Sequence, residues 1–289
     1  MKQTLKEAMA ASRPLILPGV QDALTARIVE DLGFTAYGIG GLGMVAHRYA
    51  LPDVGIVSFG EMAQGVRDIM LGSRLPVLVD ADEGYGDVKN VARTVQTYEA
   101  MGVSAIALED QRSPKRCGHM KGKVVVPLEE ARAKIAVAVD ARENPDFLIQ
   151  ARIDSRAVHG FEDAIHRAEV LAEAGADVLH VEAPQTREEV EAIATRLQHT
   201  GVPLAINMST LGVTPYVPPD ELGEMGYSIV ISPGALLMGA MIGITERAKL
   251  VKAGRLDEAE KGGNLRRLQE LMGVGKWQEI DEQFGGYDK

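Results

Sequence analysis

The sequence is short of cysteine, of aromatics and of long apolar runs, and each shortage removes a class of protein. A single cysteine, Cys117, among 289 residues forbids an intrachain disulfide. A reducing, cytoplasmic setting is therefore expected. Aromatic residues make up only 4% of the chain against 46% hydrophobic residues overall, so the core must be aliphatic. That composition suits a barrel interior filled by Val, Ile and Leu. The longest apolar stretch, 235–244, contains Gly239 and Gly243 and is too short for a bilayer. The start, Met1-Lys2-Gln3-Thr4-Leu5-Lys6-Glu7, has no apolar run of the signal-peptide kind. A soluble protein with no membrane partner is expected. Positive charge is also scarce: 31 Lys and Arg against 41 Asp and Glu give a formal charge of −10 and a pI near 5.2. That balance argues against nucleic acid as a partner. A small anionic substrate stays open, because local basic residues and a metal override global charge.

What the chain does contain is a repeating alternation. Short apolar runs at 14–17, 35–39, 75–81, 104–108, 147–151, 177–181, 202–206 and 227–231 read as buried parallel strands, apolar on both faces because both are covered. Between them, 91–101, 131–141, 164–174 and 190–197 carry apolar residues at helical spacing. Gly102, Gly175 and Gly201 follow three of these segments and read as helix stops. Eight strand–helix units imply a closed (β/α)8 TIM barrel as one domain over 1–289. Two further helices, 235–253 and 257–272, exceed what eight units need. Residues 254–289 therefore read as a C-terminal helical extension that caps the barrel or joins subunits. An open doubly wound sheet is the alternative, but the first strand runs into Pro18-Gly19-Val20-Gln21-Asp22, not the glycine-rich phosphate turn that such a fold needs.

In a barrel the active site lies at the C-terminal strand ends. Those ends are polar here: Asp80 and Asp82 after the third, Glu109 and Asp110 after the fourth, Arg152 and Asp154 after the fifth, His180 and Glu182 after the sixth, Asn207 and Ser209 after the seventh. A lone acidic residue after a strand usually caps the next helix. Acids at successive strand ends, joined by Arg and Asn, point to one mouth. Asp80, Asp82 and Glu109 offer only hard oxygens, which suits Mg²⁺ or Mn²⁺. No Cys/His cluster has the spacing of structural zinc. A second signal is Lys115-Arg116-Cys117-Gly118-His119, in a loop after the fourth strand. Nearby cations favour a thiolate, and Gly118 and Gly122 would let the loop move. The plain alternative is a solvated basic loop that contains a cysteine. Tyr37 followed by Gly40 and Gly41 is a weaker signal of close backbone approach.

These residues resemble the isocitrate lyase/phosphoenolpyruvate mutase superfamily, lyase branch. Val79-Asp80-Ala81-Asp82-Glu83-Gly84-Tyr85-Gly86 is similar to its metal-binding strand, and Leu108-Glu109-Asp110-Gln111 followed by Lys115 to His119 to its lyase signature. Leu51-Pro52-Asp53, Ala151-Arg152-Ile153-Asp154, Glu182-Ala183 and Asn207-Met208 follow in matching order, covering about Leu15 to Ile244. The resemblance implies that Asp82 contacts Mg²⁺ with Asp80 and Glu109 nearby. It implies that Cys117 is the acid/base, with Arg152, Tyr37 and His119 in the catalytic set. Gly40, Gly41, Asp53, Lys115, Arg116, Gly118, Glu182, Asn207 and Ser209 would line or support the substrate. It also implies a homotetramer whose subunits exchange the eighth helix.

The implied reaction is a metal-dependent retro-aldol cleavage of a 2-hydroxy di- or tricarboxylate, of the 2,3-dimethylmalate, 2-methylmalate or 2-methylisocitrate type, to a 2-keto acid and a carboxylic acid. Two alternatives are a carboxyphosphonoenolpyruvate-type phosphonomutase and a non-catalytic barrel. Relatives commonly carry Ser where this chain has Ile39 and Thr where it has Ile153. If both isoleucines face the pocket, a methyl-bearing dicarboxylate should be preferred over a tricarboxylate.

Overall fold

The computed structural model describes residues 3–118, 120 and 122–285. Eight strands follow one another: β1 (Leu15–Pro18), β2 (Tyr37–Ile39), β3 (Val77–Asp80), β4 (Ala105–Glu109), β5 (Leu148–Ile153), β6 (Val178–Val181), β7 (Leu204–Asn207) and β8 (Tyr227–Ser232). All are parallel, in the order β1-β8-β7-β6-β5-β4-β3-β2. The ends of that order meet at a parallel bridge between Gly19 and Gly38, where the Val20 amide donates to the Gly38 carbonyl at 2.8 Å. The result is a (β/α)8 barrel, as the alternation predicts, with strand ends displaced by no more than two residues.

Each strand is apolar on both faces for a physical reason: one face meets helices and the other fills the lumen. Val77, Val79, Ile106, Ile149 and Ala151 pack outward with Val91, Val95 and Ile135 of the helices. Leu15, Leu17, Leu78, Ala105, Ala107, Leu148 and Val178 pack inward. The helix Leu5–Ala11 places Leu5 and Ala8 in this inner cluster and so closes one end of the barrel. It starts at a capping box, with Thr4 and Glu7 each satisfying the other's backbone N–H.

The expected helices appear as Val88–Ala100, Leu128–Ala141, Phe161–Glu173 and Arg187–Leu197. Gly102, Gly175 and Gly201 have φ of +84°, +99° and +68°, the left-handed conformation of a helix stop. The helices Ala23–Asp31, Gly41–Tyr49 and Phe59–Met70 fill the units that periodicity left unmarked. The expected helix 257–272 is two, Leu256–Glu260 and Leu265–Leu271. Gly262 (φ +85°) breaks it, and Asn264 restarts it by accepting from the Arg267 amide at 3.0 Å. Val274–Phe284 follows. The helix Ala235–Lys252 has no buried residue, and Met241, Ile242 and Ile244 lie exposed on it. Among the described residues no helix is long and apolar enough to cross a membrane.

Candidate active site

The lumen-facing positions one step beyond the inner apolar cluster are polar. Asp80 ends β3, Glu109 ends β4, Arg152 lies on β5 and Asn207 ends β7, with Glu182 just past β6. Asp80, Arg152, Glu182 and Asn207 meet at a cavity of about 160 Å³ whose wall also includes Gly40, Gly41, Asp53, Cys117, Gly118 and Ser209, with Glu109 buried behind it. Segments far apart in sequence thus share one mouth, at the end where a parallel barrel places its site.

Asp80, Asp82 and Glu109 bring carboxylate oxygens within 4.8 Å of one another. Asp80 is fixed by two backbone donors: the Gly41 amide reaches Oδ2 at 3.2 Å and the Asp82 amide reaches Oδ1 at 3.1 Å. Asp82 holds φ +47°, an unfavourable conformation for a residue with a Cβ. Lys115 is 2% exposed and places Nζ 2.7 Å from both Asp53 Oδ1 and Asp82 Oδ1. Arg152 lies 2.8 Å from Glu109, 3.1 Å from Asp154 and 3.6 Å from Glu182.

Acids outnumber cations here. Asp53, Asp80, Asp82, Glu109, Asp154 and Glu182 surround Lys115, Arg152 and Lys123. The protein relieves the excess by holding protons. Burial pushes Asp82 up to about 7, with Asp80 and Asp53 adding to the shift against Lys115. Burial likewise pushes Glu109 well above the usual carboxylate range, despite Arg152. Burial opposes the charge on Asp80 too, but Lys115 and Arg152 outweigh it and keep that group below its ordinary value. Glu182 is held well down in the same way, by Arg152 and His180 against burial. Asp82 Oδ1 and Glu109 Oε1 already meet Lys115 and Arg152 at 2.7 and 2.8 Å, yet the acids remain in excess. An oxygen-only set with surplus negative charge fits a hard dication.

The loop after β4 is built against this cluster. Gln111 bridges it: Nε2 donates to Glu109 Oε2 at 2.9 Å and to the Arg116 carbonyl at 2.8 Å, and Oε1 accepts from the Arg116 amide at 3.0 Å. The Cys117 amide donates to the Asp53 carbonyl at 3.2 Å. Lys123 donates to the Gly118 carbonyl and to Asp154, both at 2.7 Å. Gly118 sits so near the floor that a Cβ there would lie 2.4 Å from Glu182 Oε1 and 2.6 Å from Arg152 Nη2. Only glycine lets the loop approach this closely.

Not every expected residue lies on the cavity wall. Tyr37 is fully buried in the sheet–helix layer, and burial raises its hydroxyl above the ordinary value, with Glu30 adding to the shift. It is not among the residues of the cavity wall, although Ile39 on the same face of β2 is. Lys115 lies beneath the wall against carboxylates, and the Arg116 side chain is exposed, its backbone held by Gln111. His119 lies outside the described residues. Ile153 is fully buried in the helix-facing core, and Ile39 belongs to the same cluster while bordering the cavity. The argument from two isoleucines to substrate size therefore loses its basis. Two residues that did not stand out, Lys123 and Gln150, are central. Gln150 had a signal: it is the polar residue in the apolar run 147–151.

The comparisons agree with this geometry. The family description phosphoenolpyruvate phosphomutase matches residues 5–252. The chain is 37% identical to 2,3-dimethylmalate lyase of Eubacterium barkeri, over 97% of this chain and 96% of that one. It is 41% identical to a 2-methylisocitrate lyase of Aeropyrum pernix, over 79% and 72%. A structure of oxaloacetate acetylhydrolase bound to 3,3-difluorooxalacetate superposes with a TM-score of 0.92 at 31% identity, covering 100% and 98%. On these matches and on the shared barrel, the chain belongs to the phosphoenolpyruvate mutase/isocitrate lyase superfamily.

Proposed function

We propose that this protein is a divalent-metal-dependent carbon–carbon lyase that splits a 2-hydroxy di- or tricarboxylate into a 2-keto acid and a carboxylic acid. The observation that carries the reading is the placement of Cys117 on the wall of the cavity that Arg152 and Asp80 also line. An acid is thus set across one small space from a cation and a metal-type cluster. Similarity to a dimethylmalate lyase and a methylisocitrate lyase favours cleavage over phosphonate rearrangement.

Asp82, with Asp80 and Glu109, would hold the metal, with Mg²⁺ as the proposed ion. An ion held there would supply Lewis acidity that lowers the pKa of the substrate hydroxyl. Gly40 and Gly41 open the start of the helix Gly41–Tyr49 to a substrate carboxylate. The hydroxyl proton passes to Glu182, a carboxylate held ionised on the cavity wall outside the proposed metal set, and the bond between the carbinol carbon and its neighbour breaks. The electron pair passes to the second fragment as an enediolate. Arg152, held by Glu109, Asp154 and Glu182, balances the developing charge. The Cys117 thiol delivers a proton to the enediolate carbon. The loop 111–118 covers the cavity and keeps water from that carbon. A homotetramer exchanging the exposed helix Ala235–Lys252, and a cytoplasmic location, complete the proposal.

The test is release of pyruvate or glyoxylate from 2-methylmalate, 2,3-dimethylmalate, isocitrate and 2-methylisocitrate with Mg²⁺. Oxaloacetate and phosphonopyruvate serve as arms for the hydrolase and phosphonate chemistries. Turnover confined to either of those arms would overturn the lyase assignment.

A further inference from the structure

Below Arg152 and Glu182, the lumen holds two polar side chains that the mechanism leaves unused. Gln150 on β5 and His180 on β6 are 1% and 2% exposed and both border the cavity. Their neighbours around the barrel are small or apolar: Gly19, Gly38, Leu78 and Ala107. Gln150 Nε2 lies 3.4 Å from His180 Nδ1. With the amide nitrogen donating, Nδ1 accepts and a neutral ring carries its proton on Nε2. Nε2 is 3.1 Å from Glu182 Oε2, so its N–H lies against that carboxylate although the two are off line. Gln150 Oε1 has no hydrogen-bond partner.

A buried amide oxygen left unsatisfied in an apolar lumen costs free energy unless something that occupies the cavity pairs with it. Gly38 and Ala107 beside it present no polar side chain, and no donor among the described residues reaches Oε1. The missing partner therefore belongs to the ligand. From this geometry we infer that Gln150, backed by His180, is a specificity-determining floor. It selects a substrate whose deepest limb ends in a hydroxyl or similar hydrogen-bond donor over one whose limb is alkyl. His180 acts through Gln150 as a positioning residue, fixing which end of the amide faces the cavity. Glu182 in turn fixes His180. The inference rests on the lyase reading for the site as a whole, and it adds the chemistry of one substrate limb.

The experiment uses near-isosteric pairs that differ only in that limb. Binding of hydroxypyruvate and 2-ketobutyrate to the Mg²⁺-loaded protein is measured by calorimetry. Turnover of 2-(hydroxymethyl)malate against 2-ethylmalate, and of 3-(hydroxymethyl)malate against 3-ethylmalate, is measured as kcat/KM. The wild type should favour the hydroxyl-bearing member of at least one pair by about tenfold or more. Gln150→Met, which keeps the shape and removes the amide, should bring that ratio to about one. His180→Phe should shrink the ratio with the amide still present, and His180→Gln should restore part of it. Circular dichroism and Tm of each variant separate loss of fold from loss of selectivity. A purely structural pair would lower Tm and leave the ratio intact. That outcome overturns the inference, as does a wild-type preference for the alkyl member in every pair. Calorimetry reads the floor even without turnover, so failure of the lyase reading stays distinguishable from failure of this one.

Discussion

The Lys115 ammonium lies 2.7 Å from Asp82 Oδ1, so the loop that carries Cys117 is tied by a buried ion pair to the carboxylates proposed to hold the metal. Burial works against that ammonium, but Asp80, Glu109, Asp82 and Asp53 raise its pKa above the ordinary value. Lys115 thus supplies part of the positive charge that the cluster needs, and it does so from the same loop as Cys117, two residues away.

Lys115→Met should therefore destabilise the metal-free protein strongly. Removing one partner leaves Asp53 and Asp82 buried without their cation, at a cost of about 3–5 kcal/mol. Mg²⁺ should restore more Tm to the variant than to the wild type. Thermal unfolding with and without Mg²⁺ checks this, and equal Tm values for both proteins would disprove it.

Metal binding should depend on pH with a definite sign. Burial lifts Asp82 from 3.8 to about 7 in the metal-free state. Between those values the folded chain holds a proton that the unfolded chain has released, so this group's contribution to stability falls as pH rises. A dication needs the ionised form. Affinity for Mg²⁺ should therefore weaken as pH drops from about 8 to about 6, by up to about tenfold per unit below 7. The rise in Tm caused by Mg²⁺ should grow over the same range in the upward direction. Calorimetry in buffers of different ionisation enthalpy would show proton release near pH 6. An Mg²⁺ affinity independent of pH would exclude Asp82 as a ligand with this pKa.

Gly118→Ala tests the close approach of the loop. The added methyl meets Glu182 Oε1 at 2.4 Å and Arg152 Nη2 at 2.6 Å, so the loop must move outward. A displacement of about 1 Å in a catalytic group costs about 100-fold in rate. The loss should fall on kcat/KM with Tm little changed. Near-normal turnover would show that the loop need not lie this close.

Much of this was legible in the sequence, and the limits have physical causes. Eight apolar runs marked eight strands because each is covered on both faces. The acids at strand ends were visible because β3 and β4 stop at Asp80 and Glu109. Inward or outward direction was harder to read. Alternation is lost when both faces are apolar, so Ile153 gave no sign that it faces the helices, nor Gln150 that it faces the lumen. Contacts made through space left no pattern either. Lys115 against Asp82 spans 33 residues, and Lys123 against Asp154 spans 31. The split of the segment 257–272 was written in Gly262-Gly263, which helical spacing on either side concealed.

Cys117→Ser should leave the barrel intact, because the residue lies on a loop at the cavity wall and not in the core. Replacing the thiol with a far weaker acid should lower kcat by about 10²–10⁴-fold. Mg²⁺ affinity should be unchanged. Normal turnover by the folded variant would make Cys117 structural.

The central claim is cleavage of a carbon–carbon bond with protonation of the carbon left behind. It is tested most directly by incubating the Mg²⁺-loaded enzyme with 2,3-dimethylmalate, and in parallel with 2-methylmalate and 2-methylisocitrate, in D₂O, and identifying products by NMR. The account predicts pyruvate with the matching carboxylic acid in equal amounts, one deuterium on the newly protonated carbon, and no products with excess EDTA. No cleavage of any of the three acids, or cleavage undiminished by EDTA, would contradict it.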